Sequence, residues 1–435
     1  MRNNICYKFL HLVLSILPLF LLWLKITTAN PLGRQLIAVG RGVSNYKCID
    51  EEMPSLLYFK AYIHEDPYNY LSTWTPKEEE ATSDWSGVTC NNQGHVTGLY
   101  LRFLGFKELG NLTNLQILSL ENLSSCTIEN LDWLSYMSHL EELHMDGISL
   151  AKADNWVNVI LNLQNLSTLS VDRCELSQVK HPYVNSNSSS IASLYLQNNN
   201  LNSSMYHWLF PLTSNRLVDL RLSGNNIFIP AVFGLSNNQF NGTLSPKLVN
   251  LDISANSLKG AISANIGKST ILYIDLSNNS LEGVLSGAQM SNLSFVEFIH
   301  LSSCKLGPRF PKWIKTLKRL THIDISNTRI SDTIPEEFWN MGPSQLTYLN
   351  LSSNNITGKV TNLTSNFNSE FSILDLSSNN VCGHILNVPS TLQILDLSEN
   401  KFYGEISFLC QIVDESLFFL DLSHNSFTGQ IPDWL

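Results

Sequence analysis

The sequence predicts an α/β solenoid, a pile of short coils that share one parallel β-sheet, and three observations predict it. A phrase of apolar residues spaced L-x-x-L-x-L recurs along most of the chain, and an Asn follows it at a fixed offset in most copies. No single copy carries enough apolar surface to bury itself, so the copies must stack on one another.

The phrase opens at Leu115-Leu118-Leu120, Leu140-Leu143-Met145, Leu166-Leu169-Val171, Ile191-Leu194-Leu196 and Leu217-Leu220-Leu222. It continues at Leu248, Ile271, Val296, Leu320, Leu346, Phe371, Leu392 and Leu417, making 13 full units at periods of 21 to 26 residues with one exception. The alternating x-L-x-L portion is a short strand with its leucines inward. At about 4.8 Å between strands, such units make a parallel sheet about 60 Å long whose other face is free. The exception is the step from Leu217 to Leu248, 31 residues containing the half-unit Leu235-Ser236-Asn237-Asn238-Gln239-Phe240-Asn241-Gly242. It predicts an irregular repeat near 228–247 and a local break in the solenoid.

The Asn beyond the strand recurs as Asn199, Asn225, Asn256, Asn279, Asn354, Asn379, Asn400 and Asn425. A buried amide there can serve backbone groups of its own coil and of the next, because it carries both donors and an acceptor. Cys174, Cys304 and Thr328 stand in this slot as weaker substitutes, and Leu123 and Ile148 cannot hydrogen-bond there. The ladder is therefore expected to be loosest in the first coils.

Composition agrees with a folded chain: 43% hydrophobic and 15% charged residues leave ample apolar side chains for a continuous core. The net charge is -10, and the 27 Lys and Arg form no stripe interleaved with aromatics, so nucleic acid is not expected as a partner. At the N-terminus Arg2 and Lys8 precede an apolar run from Phe9 to Leu24 and the small-residue exit Thr27-Thr28-Ala29. That pattern is a secretory signal peptide over 1–29, and no other run is long enough to span a membrane. Secretion agrees with the abundance of N-x-S/T sequons at Asn111, Asn122, Asn165, Asn187, Asn202, Asn241, Asn278, Asn292, Asn355 and Asn362. Asn350 also heads a sequon, but inside a strand, and is not expected to carry sugar.

A search for chemistry turns up little. Asp252, Asp275, Asp324, Asp375, Asp396 and Asp421 form a column of carboxylates at coil spacing. A catalytic pair needs two different environments, whereas this row repeats one phrase, L-D-L-S or I-D-I-S, and reads as structural. No metal-ligand spacing or nucleophile signature occurs, so neither a cofactor nor an enzyme activity is expected. Recognition remains, and the informative outward residues are those that break the repeated phrase. His144, Asp146, Asp172, Arg173, Tyr195, Gln197, Asp219 and Arg221 fall on consecutive coils as one candidate ligand-binding patch, and Phe298, His300, His322 and Tyr348 as a second.

Later units add Gly and an apolar residue after the Asn, as in Gly260-Ala261-Ile262, Gly358-Lys359-Val360, Gly404-Glu405-Ile406 and Gly429-Gln430-Ile431-Pro432. The full phrase L-x-x-L-x-L-x-x-N-x-L-x-G-x-I-P resembles the plant-specific extracellular leucine-rich repeat. Two further stretches, Ser303-Cys304-Lys305-Leu306-Gly307-Pro308-Arg309-Phe310-Pro311-Lys312-Trp313 and Ile323-Asp324-Ile325-Ser326-Asn327-Thr328, resemble segments of plant receptor-like proteins of the defence type. Cys48, Leu56-Leu57-Tyr58-Phe59-Lys60, Leu71-Ser72-Thr73-Trp74 and Trp85-Ser86-Gly87-Val88-Thr89-Cys90 are similar to that family's N-terminal cap.

The resemblance implies a horseshoe or superhelix with a concave parallel sheet and a second small sheet on its flank, laid out as a cap over 30–95 and a solenoid over 96–435. Ser83 and Asp84 stand where the family carries adjacent cysteines, which leaves Cys48 and Cys90 to pair with each other or stay free. The chain stops at Trp434-Leu435, partway through a repeat, so an open C-terminal end is expected. The family also implies a function: perception of an apoplastic peptide, protein or glycan at the cell surface, acting through receptor-kinase co-receptors. The alternative is a secreted inhibitor or decoy that binds a microbial cell-wall-degrading enzyme.

Overall fold

The computed structural model describes residues 48, 52–61, 70–75, 85–102, 113–121, 127–176, 190–202, 205, 209, 216–227, 247–260, 270–283, 293–335, 338–339, 346–363, 372–412 and 417–431. The signal-peptide segment 1–29, Leu123 and all of the irregular stretch except Lys247 lie outside these residues.

One sheet of fifteen strands organises the molecule. It opens with β1 (Val88–Cys90), which pairs antiparallel with β2 (Val96–Arg102), and every later pair is parallel. The N-terminal coils add β3 (Ile117–Glu121), β4 (Glu142–His144), β5 (Thr168–Ser170), β6 (Ser193–Tyr195), β7 (Asp219–Arg221) and β8 (Asn250–Asp252). The C-terminal coils alternate between this sheet and the flank. The main-sheet strands are β10 (Tyr273–Asp275), β12 (Phe298–His300), β13 (His322–Asp324), β14 (Tyr348–Asn350), β16 (Ser372–Asp375), β18 (Leu392–Asp396) and β20 (Phe419–Asp421). On the flank lie the pair β9 (Lys259–Gly260) with β11 (Ser280–Leu281), and a four-stranded parallel sheet of β15 (Thr357–Lys359), β17 (Asn380–Gly383), β19 (Lys401–Glu405) and β21 (Ser426–Thr428). The flank sheet needs glycine. Gly383 has φ 140°, and a Cβ there would stand 2.0 Å from the Val360 carbonyl oxygen.

The expected break near 228–247 is not found in the sheet. β7 and β8 are direct neighbours, with Asp219, Leu220 and Arg221 in register with Asn250, Leu251 and Asp252. The ladder carries on past the strands, since the amide of Leu222 donates to Asp252 O at 2.7 Å and that of Gly224 to Ser254 O at 3.1 Å. The extra length of that unit therefore does not interrupt the sheet: each coil is tied to the next by strand hydrogen bonds, and the connection between strands can change length without shifting register.

The inward leucines join one continuous core, from the fully buried Leu99 and Leu118 near the start to the fully buried Leu395 and Phe402 near the end, with Leu417, Leu420 and Leu422 of the last coil partly buried against it. The ladder asparagines close each coil. Asn379 shows the pattern: its Nδ2 donates to Leu351 O of the preceding coil at 3.0 Å and to Leu376 O of its own at 3.1 Å, while its Oδ1 accepts from the Ile356 amide at 2.9 Å. Asn199, Asn225, Asn256, Asn279, Asn354, Asn400 and Asn425 repeat both halves of this contact. The residue before each of them is forced into the left-handed region, for example Asn198, Ala255 and Ser378 at φ 54°, 49° and 51°. The turn is costly for a non-glycine, and is offset because it aims that residue's own amide at a carbonyl of the next coil, as in Ser378 N to Ser398 O at 2.9 Å.

The substitutes serve fewer groups. Burial pushes the thiols of Cys174 and Cys304 up to about 12 and about 11, so both remain protonated donors, to Met145 O at 3.1 Å and Leu276 O at 3.3 Å. Thr328 Oγ1 donates to Ile325 O of its own coil at 2.7 Å. Ile148 fills its slot fully buried and contributes no polar atom.

At the N-terminal end, Cys48 and Cys90 form a disulfide across 42 residues, a closure that in the chain-entropy account contributes on the order of 3 to 4 kcal/mol. Helix α1 (Met53–Ala61) is tied down by Lys60 Nζ, which donates to Leu71 O and Trp74 O at 2.7 Å each. Trp74 and Trp85 stack at 5.4 Å, and Glu52 caps the first parallel strand by accepting from the Val96 amide at 2.6 Å.

The ladder makes a quantitative expectation. Asn379→Ala leaves two buried carbonyls and one buried amide without their side-chain partner, and it should cost about 2 to 4 kcal/mol in urea unfolding. Asn425→Ala, in a coil whose amide is partly solvent-exposed, should cost less than half as much. Equal costs at the two positions would mean that the amides are not what holds neighbouring coils together.

Candidate ligand-binding face

Each main-sheet strand turns two side chains away from the core, and the register sets them in two columns across the coils. One column runs through Glu142, Thr168, Ser193, Asp219, Asn250, Tyr273, Phe298, His322 and Tyr348; the other runs through His144, Ser170, Tyr195, Arg221, Asp252, Asp275, His300, Asp324 and Asn350. Of the sequence candidates, His144, Tyr195, Asp219, Arg221, Phe298, His300, His322 and Tyr348 stand in these columns, while Asp146, Asp172 and Gln197 lie one step beyond their strands. Arg173 stands apart from the row: it occupies the left-handed turn after β5, at φ 56°, and is exposed at the edge. It directly follows Asp172, so the two-residue alternation of the strand does not carry it onto either column.

The first patch is a hydrogen-bonded network. Arg221 grips Asp219 with Nε and Nη2 at 3.2 Å each and lies 5.0 Å over the Tyr195 ring, whose hydroxyl donates to Asp219 at 3.2 Å. Asn250, absent from the sequence candidates, adds a donor to the same carboxylate at 3.0 Å. Burial, then the Asp219 charge, pushes the Tyr195 phenol up to about 12, so it stays a donor. Gln197 Nε2 donates to Ser223 Oγ at 2.6 Å and Asp252 Oδ2 at 3.2 Å, while its own amide donates to Asp172 Oδ1 at 2.6 Å. Asp146 accepts from Ser170 Oγ at 2.7 Å and from the Asp172 amide at 2.9 Å. Burial and the neighbouring Asp146 push the Asp172 carboxyl up to about 7. His144 Nε2 sits 3.5 Å from Glu142 Oε2, and that close approach holds the carboxylate below its usual range.

The second patch is a ladder of rings. Phe298 and His322 stack at 4.3 Å and His322 and Tyr348 at 5.9 Å, while Tyr273, which the sequence candidates lack, extends the row at 6.0 Å from Phe298 and 5.8 Å from His300. Tyr273 was detectable: it holds the third position of its unit, as Phe298, His322 and Tyr348 do. Burial, helped by His300, pushes His322 down to about 3; the ring is neutral in ordinary solution. His300 stands in the other column, in register with Asp275 on one side and Asp324 on the other.

The remaining carboxylates are committed to the fold. Asp252, Asp275, Asp324, Asp375 and Asp396 each accept from the amide and the hydroxyl of the Ser two residues on, at 2.6 to 3.0 Å. Asn350 accepts the same two bonds from Ser352, so the slot needs an acceptor oxygen and not a charge. The described residues hold no cluster of His, Cys, Asp and Glu fit for a metal ion, and none of their helices is long and apolar enough to cross a membrane.

The fold and this outward face define a leucine-rich-repeat solenoid, and the family model described as Leucine Rich Repeat matches residues 319–341, 345–367 and 416–435. Receptor-like protein EIX2 of Solanum lycopersicum is 38% identical over 116 residues, 27% of this chain and 11% of that protein. Receptor-like protein 35 of Arabidopsis thaliana is 33% identical over 333 residues, 70% of this chain and 32% of its own length. Among solved structures, the Arabidopsis receptor kinase HAESA, in complex with the peptide hormone IDA and the co-receptor SERK1, superposes with a TM-score of 0.68 at 25% identity, covering 88% of this chain and 67% of that one. Within the leucine-rich-repeat class, this chain is similar to plant receptor-like proteins, and it matches less than a third of the length of either relative.

The Asp row yields a pH expectation. Burial first, and Asp396 second, push the Asp375 carboxyl from 3.8 up to about 6. The folded state thus holds this proton more tightly than the unfolded chain does, and stability falls as pH rises from 3.8 through about 6. Asp375→Asn keeps the acceptor, as Asn350 does naturally, and removes the ionisation. The variant should be more stable at pH 7 by on the order of 1 kcal/mol, with the gain vanishing by pH 4. Melting curves at the two pH values decide it; a variant that is less stable at pH 7 would show that the charge strengthens the Ser377 contacts.

Proposed function

We propose that this chain is a ligand-recognition ectodomain of a plant cell-surface receptor-like protein, which perceives an apoplastic peptide, protein or glycan and acts through partner receptor kinases. The observation that carries this reading is the division of labour on the sheet. The Asp-Ser pairs serve the fold, while the other outward positions of β6 and β7 and of β10, β12, β13 and β14 present an Arg, four aromatic residues and two His side by side. Arg and aromatic side chains are the types that dominate binding energies when they sit on a preorganised surface. The pairing of HAESA with a peptide hormone and a co-receptor supports peptide ligands and kinase partners.

An extracellular setting agrees with the signal-peptide pattern over 1–29 and with the sequons. Asn165, Asn278, Asn355 and Asn362 are exposed and Asn202 half-buried, all able to take a glycan by position, while Asn111, Asn122, Asn187, Asn241 and Asn292 lie outside the described residues.

The test is a binding screen of the secreted chain against peptide, protein and glycan fractions of plant and microbial extracellular fluid, followed by substitution on the face. Arg221→Ala and Phe298→Ala should each weaken an identified ligand by about tenfold or more, measured at a temperature where circular dichroism shows each variant folded, since Arg221→Ala also leaves the buried Asp219 carboxylate without its cation. A ligand whose affinity ignores both substitutions would place recognition somewhere other than this sheet.

A further inference from the structure

One coil carries a charge distribution that the fold does not require. Residues 305–319 contain six Lys and Arg and no acid, in a chain of net charge -10. Lys305 and Arg319 are bound to Glu282 and Glu297 at 3.0 and 2.7 Å. Arg309, Lys312, Lys315 and Lys318 are exposed and have no ion-pair partner among the described residues. The acid that feels Arg309 and Lys312, Asp332, spends its oxygens on the amides of Thr333 and Phe310. The equivalent short 3₁₀ segments of other coils, Asp132–Tyr136 and Ile406–Gln411, contain no Lys or Arg.

The arrangement is linear. Lys312 and Lys315 open and nearly close the 3₁₀ helix Lys312–Thr316. At three residues per turn and about 2 Å rise, they project on one side about 6 Å apart, and Lys318 follows at the same interval in sequence. The apolar residues among them, Phe310, Trp313, Ile314 and Leu317, are buried, and the exposed Phe295 ring at the end of the stretch lies under Arg319 at 5.8 Å, so Lys312, Lys315 and Lys318 stand with neither a ring between them nor an apolar pocket. A peptide anchor needs a pocket and a nucleic-acid strand needs ring faces; a hydrated, unbranched chain of regularly spaced carboxylates needs neither. We propose that this ridge, on the coil between β12 and β13 and away from the concave face, is an electrostatic docking site for a linear carboxylated polysaccharide.

The proposal rests on the extracellular reading above but not on the concave ligand, so the two fail separately. The secreted full chain is measured against immobilised polygalacturonate, uncharged glucan, poly-L-glutamate and anionic phospholipid vesicles, at low and rising salt. Polygalacturonate should be retained at low salt and released as salt rises, with no retention on glucan. The triple variant K312E/K315E/K318E should weaken it at least about tenfold, and Arg221→Ala should leave it unchanged. Should the charge reversals disturb folding, as read by circular dichroism and melting, K312Q/K315Q makes the same test. Absence of retention, retention indifferent to the lysines, or equal retention on poly-L-glutamate or on vesicles would overturn the assignment, the last two in favour of an acidic protein or a membrane surface.

Discussion

Everything in this molecule depends on one contact made between coils, in which a buried amide side chain takes over hydrogen bonds that the turning backbone cannot make for itself. A coil bends sharply after its strand, and the bend strands two carbonyls and an amide in an apolar interior. Water is excluded there, so the groups are costly unless paired. Asn has the right length and the right mix of donors and acceptor to pair them, and because it reaches into the preceding coil, closing one turn also locks two coils together. The left-handed residue before it, the parallel register of the strands and the continuity of the leucine core all follow from that geometry.

The same economy explains why most of the polar outward face is unavailable to a partner. The Asp of each L-D-L-S phrase accepts from the Ser two residues on, and so braces the edge of the strand against the turn. Asn350 in the identical slot makes the identical bonds, which separates the structural need for an acceptor from the accident of its charge. The charge is then a burden: burial disfavours it first, and the carboxylate one coil away adds repulsion, which is why Asp252, Asp375 and Asp396 all sit above the ordinary carboxylate range. Residues that break the phrase give up this bracing, and the Arg221–Asp219–Tyr195 group replaces it with a network of its own. A surface that is both preorganised and unrepeated is what recognition of a particular partner needs.

The leucine period and the Asn offset are physical consequences of stacking, and for that reason the sheet, its parallel order and the ladder were legible residue by residue. Turn geometry was less so. Arg173 joins the candidates because it departs from the repeated phrase, yet it sits in the left-handed turn beyond the strand. The stretched unit before Leu248 reads as a break because sequence distance and spatial distance are easily confused; strand register is set by inward leucines and cross-coil hydrogen bonds, neither of which counts the residues between. Tyr273 stands two residues before Asp275 in a unit that keeps the Asp phrase, as His322 stands before Asp324, so the phrase alone does not separate the two. Its ring partners lie on other coils, at a separation that a single stretch of sequence does not display.

The basic ridge was overlooked for a related reason. Counted along the whole chain, Lys and Arg look scattered, and net charge averages over faces that never meet. Once the coil closes, Phe310, Trp313, Ile314 and Leu317 turn inward and Lys312, Lys315 and Lys318 are left outside. Helical periodicity thus sorts a mixed stretch of sequence into a buried apolar side and a charged exposed one. In a solenoid each coil does this independently of its neighbours, since each is stabilised by contacts that its solvent-facing residues do not make. The outer surface can therefore acquire a charge pattern on a single coil without cost to the ladder, while the inner sheet acquires a different one. In such a solenoid the two faces can carry unlike side-chain patterns, because neither pattern enters the contacts that hold the coils together.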